Sequence, residues 1–309
     1  MKKIVFILAI ILLGCTSEKD DVVKEEVAVI EPLNSVELFV NGVKLTENRH
    51  QISASYTCNE NLWVSLFSTP PNKEGGQLFS IGLLRTGEIT SITFVDKSQQ
   101  FDQIYRSADF IPSSTLTIEE FDFVENVHLK IKFSGTVHKE KNNLFTPSET
   151  LQIRGTITIK DFAKSTCAVF KDFIKLNNQL NFSNISRGHQ ETQPNWTVSY
   201  SANSLNGFNI SFKNFTKFIP NMPLGTYNFN NLSSSEKIEF RKYTGPAQSV
   251  TQSIVEPLWQ KYDTNGSFTI IEKTQINGFL VVKLKLNFTA SLNGIVVYNF
   301  QNAEFETVM

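Results

Sequence analysis

Any catalytic or metal chemistry in this chain would have to draw on its histidines, carboxylates or cysteines. The four histidines are His50, His128, His138 and His189. His128 and His138 share the polar side of one alternating stretch, about 33 Å apart at strand rise, so they cannot meet at one metal and are expected to be solvated. Glu119, Glu120, Asp122 and Glu125 form an acidic cluster. Paired carboxylates serve glycoside hydrolysis, but strand neighbours point to opposite faces and this cluster is expected in a turn. No Gly-x-Ser-x-Gly elbow, phosphate loop or His-Glu-x-x-His occurs. The chain is therefore expected to hold no catalytic residues, metal or cofactor, and not to be an enzyme; a hydrolase is the remote alternative.

Large aromatics offer a different chemistry. Exposed rings stack on sugars, and barrel mouths bind apolar ligands. Trp259 follows Pro257 in an irregular segment close to Tyr262. With Tyr243, these two are the candidate ligand-binding residues; the plainer reading is large side chains closing the end of a barrel. Trp196 fits a strand and is expected in the core. Cys58 and Cys167 are the candidate disulfide, with two buried thiols as the alternative. No Cys-x-x-Cys or Cys/His spacing points to a metal.

The third cysteine has another role. Met1-Lys2-Lys3 is followed by an apolar run from Ile4 to Leu13, too short to cross a hydrocarbon core of roughly 30 Å. A basic start, a short apolar middle and a small residue at the cut have the shape of a signal peptide. Leu12-Leu13-Gly14-Cys15 resembles the lipobox of bacterial lipoproteins, which implies that Cys15 is acylated and becomes the mature N-terminus. More than one acyl chain makes a stable membrane anchor. Thr16 to Asp21 resembles the short acidic export tag of surface-exposed lipoproteins in the Bacteroidota. The plainer reading of that stretch is a solvated tether; the expected location is the bacterial outer membrane, lipid-anchored, facing either the cell surface, as the tag implies, or the periplasm.

Composition directs the fold. Of 309 residues, 26 are Phe and 19% are charged, with a net charge of -1. That balance carries no basic footprint for nucleic acid. Phe, Val, Ile, Thr and Asn dominate, which suits strands and turns. Residues 127–137 alternate cleanly, with Leu129, Ile131, Phe133 and Val137 on one side. Residues 151–160 and 280–292 do the same. Five Asn-Gly pairs, at 41–42, 206–207, 265–266, 277–278 and 293–294, read as hairpin turns. A change of parity after Phe300 predicts a bulge near Gln301. Residues 249–262 have room for one or two helical turns before Pro257.

"STLTIEEF" from Ser114 and "GSFTIIEK" from Gly266 each precede a long alternating strand and a final strand. Ser114–Phe162 and Gly266–Thr307 thus read as two copies of one unit. The expected organisation is a lipoprotein signal peptide at 1–14, a lipidated cysteine and charged tether at 15–33, and β domains at 34–173 and 174–309. Sheets of this length hide their edges by closing or stacking. We therefore expect an all-β fold of two tandem antiparallel barrels or sandwiches.

"NWTVSYSANSLNGFNISF", "PLGTYNF" at Pro223–Phe229 and "YDTNGSFTI" at Tyr262–Ile270 resemble the β-rich, uncharacterised lipoproteins of flavobacteria and their relatives. The first half shares only "VNGVKL", the Thr-rich strand and its final hairpin, and lacks the Gly-Thr-Tyr turn. The resemblance implies a calycin-like or sandwich fold and an envelope location, and no established activity. The functional expectation is a non-enzymatic module for a glycan, small ligand or partner protein. A structural or adhesive surface protein is the alternative.

Overall fold

A computed structural model describes residues 34–45, 51–56, 61–68, 76–97, 102–125, 127–141, 148–160, 173–176, 180–192, 195–215, 219–230, 237–249, 258–276 and 278–308. The leader, Cys15 and the tether, Cys58, Cys167, His50 and the helical turn expected before Pro257 lie outside them. For His189 and Trp196 only the backbone is described.

The chain is all-β, and its strands make two antiparallel sheets. The first half supplies β1 (Asn34–Val40), β2 (Val43–Lys44), β3 (Gln51–Tyr56), β4 (Asn61–Ser68), β5 (Gln77–Leu84), β6 (Ile89–Asp96), β7 (Gln103–Arg106), β8 (Leu116–Val124), β9 (His128–Lys139) and β10 (Thr150–Ile159). The sheet runs β2-β1-β10-β9-β7-β6-β5-β4-β3, and β8 pairs with β9 beside β7. It curls around one core that takes side chains from β1, β3–β6 and β8–β10. Period-two patterning explains this: Leu129, Ile131, Phe133 and Val137 of β9 are all buried, while Lys130 and Lys132 between them face water.

The second half supplies β11 (Phe173–Leu176), β12 (Leu180–Thr192), β13 (Asn195–Ser204), β14 (Phe208–Phe215), β15 (Gly225–Asn230), β16 (Lys237–Tyr243), β17 (Trp259–Ile276), β18 (Phe279–Leu292) and β19 (Ile295–Val308). Pairings run β17-β16-β14-β13-β12-β11-β19-β18, and β18 returns to β17. That ring is a closed up-and-down barrel, which leaves no edge among its eight members. Its core is rich in phenylalanine, with Phe240 in ring contact with Phe208, Phe288 and Phe300.

Three of the five Asn-Gly pairs, at 41–42, 206–207 and 293–294, sit at hairpin turns, and Gly278 lies in the turn before β18. Asn41-Gly42 and Asn293-Gly294 both take positive φ angles, at 48° and 79° and at 52° and 79°. Those are the angles a two-residue turn of this type demands. The pair Asn265-Gly266 is different, because β17 runs straight through it. Gly266 is needed there for closeness: a Cβ would stand 2.1 Å from the Asn287 carbonyl oxygen of β18. The bulge expected near Gln301 is present. Register between β18 and β19 slips between Leu286 and Phe288, and Asn302 has a positive φ.

The two halves share one plan. The first strand of each pairs with the last, β1 with β10 and β11 with β19. β8 and β9 slip register between Ile118 and Glu120, and β17 and β18 slip between Ile270 and Glu272. Counting from Ser114 and from Gly266, both slips fall on the sixth residue, Glu119 and Ile271. In this alignment Leu116 corresponds to Phe268 and Ile118 to Ile270. Interrupted β7 and β8 together take the place of continuous β17. The halves also differ: β2 has no partner in the second half, and β15 fills the connection between β14 and β16, whereas β5 and β6 are joined by a tight turn at 85–88.

Candidate functional site

β17 uses one edge twice. β16 pairs with Trp259–Tyr262, and β15 pairs with Asn265–Ile270 further along. In the first half β6 pairs with β7 only through Thr93–Asp96, and the Ser107 N–H extends the contact to the Ile92 carbonyl at 2.9 Å. Beyond that point β6 and β8 part. Among the described residues β8 pairs with β9 alone. The gap is where a counterpart of β15 would lie.

That gap is a cleft of about 480 Å³. Ile89, Leu116, Ile118 and Phe121 make an apolar floor. The β5–β6 turn closes one end, with Gly87 against the Phe121 ring, where a Cβ would come within 2.8 Å of Cγ. The β13–β14 turn of the second half closes the other through Leu205 and Asn206. Ser113 fixes that end by donating its hydroxyl to the Leu205 carbonyl at 2.8 Å. Thr86, Ser113 and Asn206 give the rim hydrogen-bonding groups, and Glu88 is the charged residue in the lining.

The backbone of β8 points its polar groups into this gap. The Thr136 N–H donates to the Thr115 carbonyl at 2.9 Å, so that residue pair is hydrogen-bonded across β8 and β9. Antiparallel pairs alternate. Leu116 and Ile118 therefore turn their N–H and C=O groups away from β9, towards the cleft.

Glu119, Glu120 and Asp122 of the acidic cluster lie on β8 rather than in a turn, Glu125 sits in the turn that follows, and all four carboxylates are engaged. Lys132 reaches Glu119 at 2.9 Å, Lys130 reaches Glu120 at 2.7 Å, His128 meets Asp122 at 2.7 Å and Arg85 meets Glu125 at 3.0 Å. The bulge puts Glu119 and Glu120 on the same outer side, which strict alternation would not. Hydrogen bonds from Lys132 and Ser134 hold the Glu119 carboxyl below its ordinary range. These exposed pairs fit a solvated face. Among the described residues no group of three or more His, Cys, Asp or Glu side chains is placed to hold a metal.

The aromatic trio is divided by the sheet. Tyr262 points into the barrel, where burial and a hydrogen bond with Tyr298 push its phenol up to about 12. Tyr243 and Trp259 lie on the outer side, paired across β16 and β17, with ring centroids 5.4 Å apart. They are covered by the first half. The Phe110 ring is 5.3 Å from Tyr243 and 4.9 Å from Trp259. Both are buried, and Burial raises the Tyr243 phenol, whose hydroxyl donates to the Pro246 carbonyl at 3.0 Å. These rings join the halves; the cleft is lined by other residues.

His138 also departs from expectation. It is buried rather than solvated, because β7 and β10 flank it at Arg106 and Thr150. Burial, then the charge of Lys141, lowers its imidazole below the ordinary range.

Sequence reasoning did not name the cleft residues. The available signal was negative: the Gly-Thr-Tyr segment of the second half, now seen as β15, has no counterpart in the short β5–β6 connection. Compared with protein-family models, with curated proteins and with solved structures, the chain matches none of them.

Proposed function

We propose that the chain is a lipid-anchored protein of the bacterial outer membrane, held through Cys15 on the cell surface, that works by binding and performs no chemistry of its own. The lipobox-like quartet supports the anchor. The cleft between β6 and β8 carries the binding reading. Its volume of about 480 Å³, apolar floor and sparse polar rim are the features of a ligand site. The ligand classes in keeping with it are a glycan, a small apolar molecule or a segment of a partner protein.

The test is a ligand-induced thermal shift on the full chain against glycans, small apolar compounds and peptides, repeated on Ile118→Trp, which fills the cleft. A ligand that raises the Tm of the parent and not of the variant supports the reading. A ligand that stabilises both equally binds elsewhere and removes the cleft from consideration. A second reading, as an adhesive or structural surface protein, is favoured by Ile295, Val296 and Val297, which stand 72%, 55% and 48% exposed at the tip of the β18–β19 hairpin. Cell adhesion lost on Val296→Glu, with ligand binding intact, would support it.

A further inference from the structure

Resting on the binding reading above, we infer that the cleft takes an extended strand of a partner protein, laid antiparallel on β8 as β15 is laid on β17. The second half shows the seat occupied. β15 runs antiparallel to β17, with Tyr227 opposite Phe268 and Gly225 opposite Ile270. Phe268 and Ile270 correspond to Leu116 and Ile118, whose backbone groups face the cleft. Tyr227 stacks on Phe268 with centroids 5.3 Å apart, and Phe229 is buried in the same core. In the first half the corresponding inward space is the cavity over Leu116, Ile118 and Phe121. Main-chain hydrogen bonds to an exposed edge supply affinity in this mode of recognition, and pockets for alternate side chains supply specificity.

The geometry also gives a direction and a charge. A strand antiparallel to β8 has its N-terminal end towards Phe121. Gly87 packs on that ring, and Glu88 follows in the same turn. Glu88 is the charge in the lining, so the occupant is a strand of alternating apolar residues preceded by a Lys or Arg. The glycan and the small apolar molecule become outcomes of the test.

The probe is a synthetic peptide spanning residues 222–230 with Met222→Lys, added to the full chain. Binding is followed by anisotropy and its location by amide hydrogen exchange. The expected result is saturable binding that slows exchange at Leu116 and Ile118. Methylating the peptide amide at Tyr227, which removes the donor opposite Leu116, is expected to weaken binding at least tenfold. Glu88→Gln in the protein is expected to weaken it several-fold, with no change in Tm. Protection at Phe268 and Ile270, or at another edge, overturns the proposal, as does binding indifferent to methylation. If a glycan or small compound fills the cleft and the peptide does not, the strand is refuted while the binding reading stands. If no probe of any class reaches the cleft, both fall.

Discussion

Phe110 offers the sharpest test of how the halves are joined. It is a non-glycine residue at φ 64°, in the left-handed region that bulky side chains avoid, and its ring meets Tyr243 and Trp259 of the second half. Left-handed backbone disfavours an L-residue by roughly 1–2 kcal/mol. Something must hold Phe110 there, and the visible restraints are the two ring contacts and the Ile111 N–H bond to the Asp109 carbonyl at 2.8 Å, which spans it. Each such pair contributes roughly 0.5–1.5 kcal/mol beyond its buried area. The side chain is half-buried, so about half of the ~3 kcal/mol of a fully buried ring is added. Phe110→Ala is thus expected to destabilise the chain by about 3 kcal/mol, because it loses the contacts and keeps the strain. Phe110→Gly loses the same contacts but relieves the strain, and is expected to be less damaging by roughly 1 kcal/mol. That order reverses the usual preference for Ala over Gly in a strand or helix. Urea unfolding followed by tryptophan fluorescence reads both, and native emission is expected to shift to the red as Trp259 loses its cover. An unchanged midpoint for Phe110→Ala, or an Ala variant more stable than the Gly variant, would refute the argument.

Two further outcomes follow from geometry already given. Gly266→Ala is expected to lower stability by roughly 1–3 kcal/mol or more, because the added methyl meets strand backbone that cannot step aside. Gly278→Ala, which meets nothing within 4 Å and strains only φ, is expected to be milder; thermal melts of the pair decide. His138 should make stability fall with acid. Its folded pKa lies below the unfolded value near 6.5, so the unfolded chain takes up the proton first and stability drops as pH falls through about 6.5 towards the folded pKa. The positive charge of Lys141 nearby acts in the same direction. Melting temperature is expected to fall between pH 7 and pH 5, and His138→Asn to flatten that slope; an unchanged slope would show that other groups carry it.

The strands were legible because their signal is local. Period-two alternation at 127–137, 151–160 and 280–292 requires only that one side of each strand face a core, and it placed β9, β10 and β18 within a residue or two. The bulge near Gln301 announced itself in the same way, as a switch of parity. What could not be read was anything set by a neighbour distant in sequence. Asn265-Gly266 has a turn's composition, yet the approach of Phe288 keeps it in a strand. His138 has a polar strand position, yet β7 and β10 close over it. Tyr243 and Trp259 have the composition of a ligand platform, yet Phe110 occupies the face they present.

The same reasoning explains why the cleft was invisible while the repeat was not. Residues 114–121 and 266–273 match in pattern, and the structure matches them down to the bulged residue. Upstream of the matched stretches the halves depart from each other: the second has β15 between β14 and β16, and the first joins β5 to β6 by four residues, from Arg85 to Glu88. A missing element leaves no motif. Its consequence is nevertheless physical: an unpaired edge in a sheet is a template for pairing, and proteins commonly cover or charge such edges. β8 carries its charges on the outer face, bonded to β9's lysines, and keeps Leu116, Ile118 and Phe121 on the inner side of the open gap. The outer charges oppose stacking on the sheet's surface, yet they do not block an incoming strand that approaches in the plane. Among the described residues β8 leaves an edge open in that direction over an apolar floor, which on the proposed reading suits it to admit one extended segment and turn away flat association. The place where the two halves depart from their shared plan is therefore where function is to be sought.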